Sequence, residues 1–328
     1  MADVSLFRRD GREDADSVED RAQIILITGL TLAVLFVAVV LLLNTVIYTE
    51  NLATRGADAG GAEAIEFRDG VTEDLIEIMH REHRNASAGD VGDEFDARVA
   101  TYARTVADLR ARDGVIADVT VTGTKPGTLI FQNETSTGLR NMTNRSGTTP
   151  DWTVASDVNQ TRDYQLTVDS TRVSNDESGA FAVVTERPGA NWSVTLSNDA
   201  PDAINVTVSN GTGNGTTNVS KRFPHETGAN VTIDLTAGTV DGDRFSQLVW
   251  AEGVQNGNDT YDIRYRNGDE AFGTYSFVID DPDDTASDWS SRPYVADALY
   301  RVNVEIRHRT PELTYGEEVR LAPGERDA

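Results

Sequence analysis

The first side chains that could do chemistry are Glu77, His80 and His83 in IEIMHREHR, spaced so that a helix would bring them near one face. A carboxylate and two imidazoles so placed could hold a divalent metal. HREH is one residue short of the His-x-x-Glu-His pattern of a zinc peptidase, however. Pairing of Glu77 and Glu82 with Arg81 and Arg84 on a solvated face accounts for the same residues. The acidic runs DDPDD (280–284) and DGD (241–243) offer oxygens to Ca²⁺ but lack the fixed glycine and distal glutamate of an EF-hand loop, and read as solvated turns. His225 and His308 stand alone in sequence, and no nucleophile elbow, phosphate-cradling loop or dinucleotide fingerprint occurs. With no cysteine in the chain, thiolate chemistry and disulfides are excluded. The expectation is a protein that is not an enzyme, with no catalytic residue, no metal and no cofactor.

The elements that would position any site begin with residues 24–47, which carry no charge over 24 positions. As a helix at about 1.5 Å per residue they cover roughly 36 Å, enough to cross a bilayer. Thr28 and Thr31 can return their hydroxyls to the helix's own carbonyls, so they do not prevent insertion. The run is longer than the core of a cleaved export signal, and NTVIYTEN follows it where a small-x-small cut site would be needed. Arg8, Arg9, Arg12 and Arg21 precede the run against Arg55 and Arg68 soon after it, which places the N-terminus in the cytoplasm. Twelve Asn-x-Ser/Thr sequons, all beyond the run, point the same way. They start at Asn85, Asn133, Asn141, Asn144, Asn159, Asn191, Asn205, Asn210, Asn214, Asn218, Asn230 and Asn258, and are candidate glycosylation sites on an extracellular domain.

Net charge is −25, 34 of the 54 acids are Asp, and Lys125 and Lys221 are the only lysines. Such a carboxylate surface is tolerated where salt screens it, over about 3 Å at 1 M, and resembles the proteins of halophilic archaea. It also argues against nucleic acid as a partner, because that requires clustered cations.

Beyond the apolar run, Gly56, Gly60 and Gly61 either interrupt the helix or let it bend. Apolar residues at three- and four-residue steps then predict helices over 62–84 and 91–112. From Val115 the period falls to two. Candidate strands are 116–122, 164–173, 180–185, 192–197, 203–208, 231–235, 246–251, 262–266, 274–279 and 300–307, and GTGNGTTNVS (211–220) reads as a flexible loop. The fold class expected is α+β: an N-terminal transmembrane helix, a short helical pair, then an antiparallel β-rich, sandwich-like extracellular head. The division is a charged leader (1–22), the membrane helix (23–48), a juxtamembrane helical region (49–114) and the head (115–328), whose single or double core stays open.

Charged residues, then RA, then QIILITGLTLAVLFVAVVLLLNTVIYTEN: this N-terminus resembles that of archaeal type IV pilin-like proteins. The resemblance implies that a prepilin peptidase cuts between Ala22 and Gln23, with Arg21 and Ala22 as the basic-then-small pair before the cut. It implies too that the helix first holds the subunit in membrane lipid and then packs against other pilin-like subunits. Gly29 and Ala33 form a small-xxx-small pair suited to such packing. The resemblance spans about 35 residues. Ile27 stands where bacterial pilins carry a glutamate, and the head is large for a major pilin, which suits a minor subunit or one that no longer assembles. The alternatives are a static single-pass anchor bearing a binding or envelope module and, third, an anchored enzyme.

Overall fold

A computed structural model describes residues 13–85, 91–134, 138–212, 215–255, 259–280 and 294–324. Helix α1 runs from Glu13 to Asn85 and α2 from Val91 to Arg112. The glycines at 56, 60 and 61 therefore do not end the helix, and the helix expected over 62–84 is the last part of α1. The chain divides into two units, Met1–Ile65 and Glu66–Ala328. From Phe67 onward the helix acquires a buried stripe, Phe67, Val71, Leu75 and Met79, at the spacing that puts one face of a helix against a core.

The rest is antiparallel sheet, so the fold is α+β with a β-rich head. Its strands are β1 (Ile116–Gln132), β2 (Arg140–Asn141), β3 (Trp152–Val158), β4 (Thr161–Asp169), β5 (Phe181–Arg187), β6 (Ala190–Ala200), β7 (Ala203–Thr212), β8 (Gly215–Pro224), β9 (Asn230–Asp234), β10 (Thr239–Val240), β11 (Asp243–Arg244), β12 (Tyr261–Arg266), β13 (Phe272–Ile279), β14 (Tyr294–Arg309) and β15 (Thr314–Leu321). Among the described residues they form two sheets. The larger has the order β11-β10-β9-β4-β13-β1-β14-β15, with β2 beside β13; the smaller is β3-β12-β5-β6-β7-β8.

Two long strands serve two cores. The register between β1 and β14 skips Thr122 on one strand and Tyr300 on the other, and each bulge shifts the alternation of faces. Before the bulges Ala117 and Val119 of β1, with Val302, Val304 and Ile306 of β14, pack against Val71, Leu75, Phe95 and Val99 of the helices. Beyond them Ile130 joins the core between the sheets, around Tyr164, Trp192, Tyr265 and Phe277. Pro126, which has no N–H for a ladder, falls where the pairing is already broken. The head thus has a helix-on-sheet core and a sandwich core.

Several strand expectations require correction. Residues 246–251 are turns, not a strand. Phe245, Leu248, Ala251 and Val254 are all buried, and their spacing of three, closed by bonds such as Leu248 N to Phe245 O (2.9 Å) and Val254 N to Ala251 O (2.9 Å), belongs to tight turns rather than to alternation. Residues 211–220, expected as a loop, supply the end of β7 and most of β8. β8 is exposed along nearly its whole length, so no apolar alternation marks it. β3 and β15 were not expected as strands, and residues 170–172, expected as strand, form a 3₁₀ turn in which the Asp169 side chain accepts from Thr171 N. At Gly273 the neighbouring strand approaches so closely that any Cβ would run into the Thr167 carbonyl oxygen.

Candidate functional site: an apolar helical segment and the polar groups of the head

Within α1, Ile25–Leu43 is the segment among the described residues long and apolar enough to cross a membrane, with a mean hydropathy of 3.0, and none of it is buried among them. The nineteen residues leave Leu26, Leu30, Val34, Phe36, Val40 and Leu42 all more than 60% exposed. Apolar surface of that extent demands lipid or another apolar partner, which makes this segment a candidate single-pass anchor. A polar side chain within it conforms: the Thr31 hydroxyl donates to the Ile27 carbonyl at 2.7 Å, one turn back. Gly29 and Ala33 lie one turn apart on the same helix, and a Cβ on Gly29 would meet nothing within 4 Å. Arg21, Ala22 and Gln23 are helical in backbone, and their side chains lie outside the described residues.

The carboxylate and histidines read as a possible metal set are pulled apart by the head. Glu77 turns outward and accepts from Arg81 at 3.1 Å, the i,i+4 pairing expected of it. Glu82, expected on the solvated surface, is instead 2% exposed and faces Arg98 at 3.5 Å. His80 reaches Asp163 of β4 at 3.5 Å, and burial pushes that carboxyl above its ordinary value while His80 opposes the shift. His83 is buried, and its Nε2 accepts the Leu299 N–H at 2.9 Å beside the Tyr300 bulge. The two histidines thus make positioning contacts between helix and sheet. No group of three His, Cys, Asp or Glu placed to hold a metal occurs among the described residues.

His83 carries a pH signature. Burial lowers its pKa from 6.5 to about 4, with the nearby His80 and Arg84 adding to the effect. The unfolded chain therefore takes the proton first; the stabilising contribution is complete above pH 6.5 and is lost as pH falls toward 4. Taking the protein from pH 7 to 4.5 should cost the wild type about 2–3 kcal/mol more than the His83→Gln variant, read from urea unfolding at each pH. Equal losses in the two proteins would mean that His83 is not held neutral.

The other sequence-marked residues also have structural duties. His308 is buried with its ring 5.5 Å from that of Phe67. His225 Nδ1 bonds to the Glu226 carbonyl at 2.9 Å. Asp241, in the left-handed region at φ 47°, accepts the Thr232 N–H at 2.7 Å. Asp280 accepts from Lys125 Nζ (2.8 Å) and Gln160 N (2.9 Å), while residues 281–284 of the same acidic run lie outside the described residues.

Sequence reasoning missed an open cleft of about 610 Å³ at one end of the smaller sheet, lined by Asp157, Glu186, Arg187, Asn191, Tyr261 and Asp262. Its acids are engaged: Asp262 accepts the Asp157 N–H at 3.1 Å, and Glu186 accepts from Arg264 at 2.7 Å. Arg187 bonds to the Val254 carbonyl at 2.7 Å and to Asp259 at 3.1 Å. The cleft gathers these residues from four separate strands, β3, β5, β6 and β12, and no local motif announces it.

The candidate glycosylation residues fall into three groups. Asn133, Asn191, Asn218 and Asn230 are exposed, whereas Asn141, Asn144, Asn159, Asn205 and Asn210 are half-buried. Asn214, Asn258 and the side chain of Asn85 lie outside the described residues.

Residues 18–128 match a family described as a family of unknown function (DUF7261). The match takes in the apolar segment, both helices and β1 as far as Thr128. No curated protein matches the chain.

Proposed function

We propose that this chain is a pilin-like cell-surface subunit, structural or filament-associated, with its leader in the cytoplasm and its β-rich head outside the cell of a halophilic archaeon. The observation that carries the reading is Ile25–Leu43, an apolar segment of membrane-spanning length that is exposed among the described residues. In lipid it anchors the subunit; in a filament, neighbouring helices replace the lipid. The arginine bias before the segment and the sequons after it support the orientation, and the acidic, lysine-poor composition supports the habitat. The partners are membrane lipid, a prepilin peptidase acting at Ala22-Gln23, and other pilin-like subunits. A second reading, a static anchor carrying a binding module, is favoured by the 610 Å³ cleft.

The N-terminus of the mature membrane protein discriminates the two. A processed subunit begins at Gln23, and Ala22→Leu should block the cut and leave the protein 22 residues longer with its head still exported. Gly29→Leu, which has free space around it within the chain, should spare insertion yet weaken subunit association at least about tenfold in cross-linking yield. Met1 on the mature protein, with both substitutions silent, would leave the static anchor. Protease shaving of intact cells tests orientation separately: the head should be degraded and the apolar helix spared.

A further inference from the structure

Strand β8 is a long, regular edge guarded by two exposed cations, Lys221 and Arg222, that are drawn aside. Its ten residues pair with β7 from Ala203↔Pro224 to Thr212↔Gly215 with no register shift, and among the described residues no strand pairs with its other side. Free edges are ordinarily kept from joining other strands by shortness, bulges, interior proline or a charge projecting from the edge. The other edges fit that rule: β11 has two residues, β3 is broken by register shifts against β12, and β15 presents the exposed or half-exposed charges of Glu317, Glu318 and Arg320. β8 has ten residues, no bulge and no proline before Pro224. Lys221, its natural guard, is bent back: Nζ donates to the Arg244 carbonyl at 3.1 Å and lies 4.5 Å from the Phe223 ring centre. Arg222 is drawn toward Asp202 at 3.3 Å.

At the middle of this edge stands the sequon Asn218-Val219-Ser220, and all three residues are exposed. Phe223 marks the inward face of β8, so Asn218 and Ser220, of opposite parity, stand on the solvent face. Four other sequons are less available. Thr161, serving Asn159, and Thr207, serving Asn205, are each 7% exposed, whereas Ser220 is exposed although its hydroxyl shares a hydrogen bond with that of Thr207 (2.8 Å). Thr143, serving Asn141, is 3% exposed, and Asn191 is followed by the fully buried Trp192.

We propose that Asn218 carries an N-linked glycan and that this glycan screens the β8 edge from pairing with another strand. In the transfer, Asn218 Nδ2 bonds to the anomeric carbon of a sugar, and the bond from that carbon to the phosphate of a lipid-phosphate-linked donor breaks. The lipid phosphate leaves with the bonding pair, and the amide proton passes to a base. The proposal rests on the reading that the head lies outside the cell, where such transfer takes place.

The test is peptide mass mapping of all twelve sequons in full-length protein taken from its native membrane, alongside protease shaving of the same cells. A sugar mass is expected on the Asn218 peptide in most molecules, abolished by Asn218→Gln and by Ser220→Ala and retained in Ser220→Thr. In detergent, Asn218→Gln should raise the fraction of head-to-head associated protein severalfold, and adding Lys221→Glu should restore the monomer. Sugar on other sequons with Asn218 bare would overturn the proposal and leave the outward orientation standing. No sugar anywhere with the head shaved would likewise overturn it alone, whereas a head resistant to shaving would bring down the orientation as well. Unchanged association in Asn218→Gln would overturn the screening role.

Discussion

Val34→Arg combined with Val37→Arg should remove the protein from the carbonate-washed membrane fraction. Both positions lie near the middle of the apolar segment and are about 60% exposed, with no acidic side chain nearby in sequence to pair with a guanidinium. Each arginine at the centre of a spanning helix costs about 2.5–3.5 kcal/mol on the insertion scale, so the pair costs roughly 5–7 kcal/mol. That is about a thousandfold or more in partitioning. Val34→Leu with Val37→Leu is the control and should remain membrane-bound, since leucine inserts as readily as valine. If the double arginine variant stays in the membrane fraction, Ile25–Leu43 is not the anchor, and the reading of the whole N-terminal region fails with it.

Trp192→Ala should produce the largest loss of stability in the head, about 3–5 kcal/mol. Trp192 is wholly buried on β6, edge-on to Trp250 at 5.2 Å, and Trp250 in turn meets Tyr164 at 4.9 Å. Tyr164, on β4 of the larger sheet, stacks at 4.2 Å on Phe277 of the neighbouring strand β13. Removing the indole therefore leaves a hole in the chain of rings that joins the two sheets through the 245–254 turns. Trp192→Phe should cost much less, because the indole N–H makes no hydrogen bond with the protein and the ring volume is mostly kept. Leu109→Ala, at a position 52% exposed on α2, should cost well under 1 kcal/mol. Urea midpoints of the detergent-solubilised protein in one fixed salt would rank the three. A Trp192→Ala midpoint equal to that of Leu109→Ala would show that the sandwich core does not depend on this contact.

The features legible in the sequence are those encoded by neighbouring residues. An uncharged run of 24 residues can be read without a fold, because the length of a helix and the cost of a charge in lipid are local quantities. The stripe Val71, Leu75 with Phe95, Val99 is legible for the same reason, and so is the alternation in β6, β7 and β14. Where alternation did not hold, reading failed. β8 has no buried face to pattern it, and Phe245, Leu248, Ala251 and Val254 follow a period of three.

What the sequence alone determined is an apolar helix near the N-terminus, an acidic and cysteine-free chain, and a β-rich head of class α+β. The tertiary structure decided which polar groups meet. His83 and Leu299 are 216 positions apart, and nothing local in either segment marks their hydrogen bond. Leu299 lies beside the Tyr300 skip and beyond the end of the β14–β15 pairing at Val302, and there its N–H meets the imidazole. The same holds for the sequons: they are alike as motifs, and the burial of Thr143, Thr161, Thr207 and Trp192 sets four of them apart from Asn218. Hydrophobic period is a property of one segment, whereas exposure and hydrogen bonding belong to the neighbours that folding supplies.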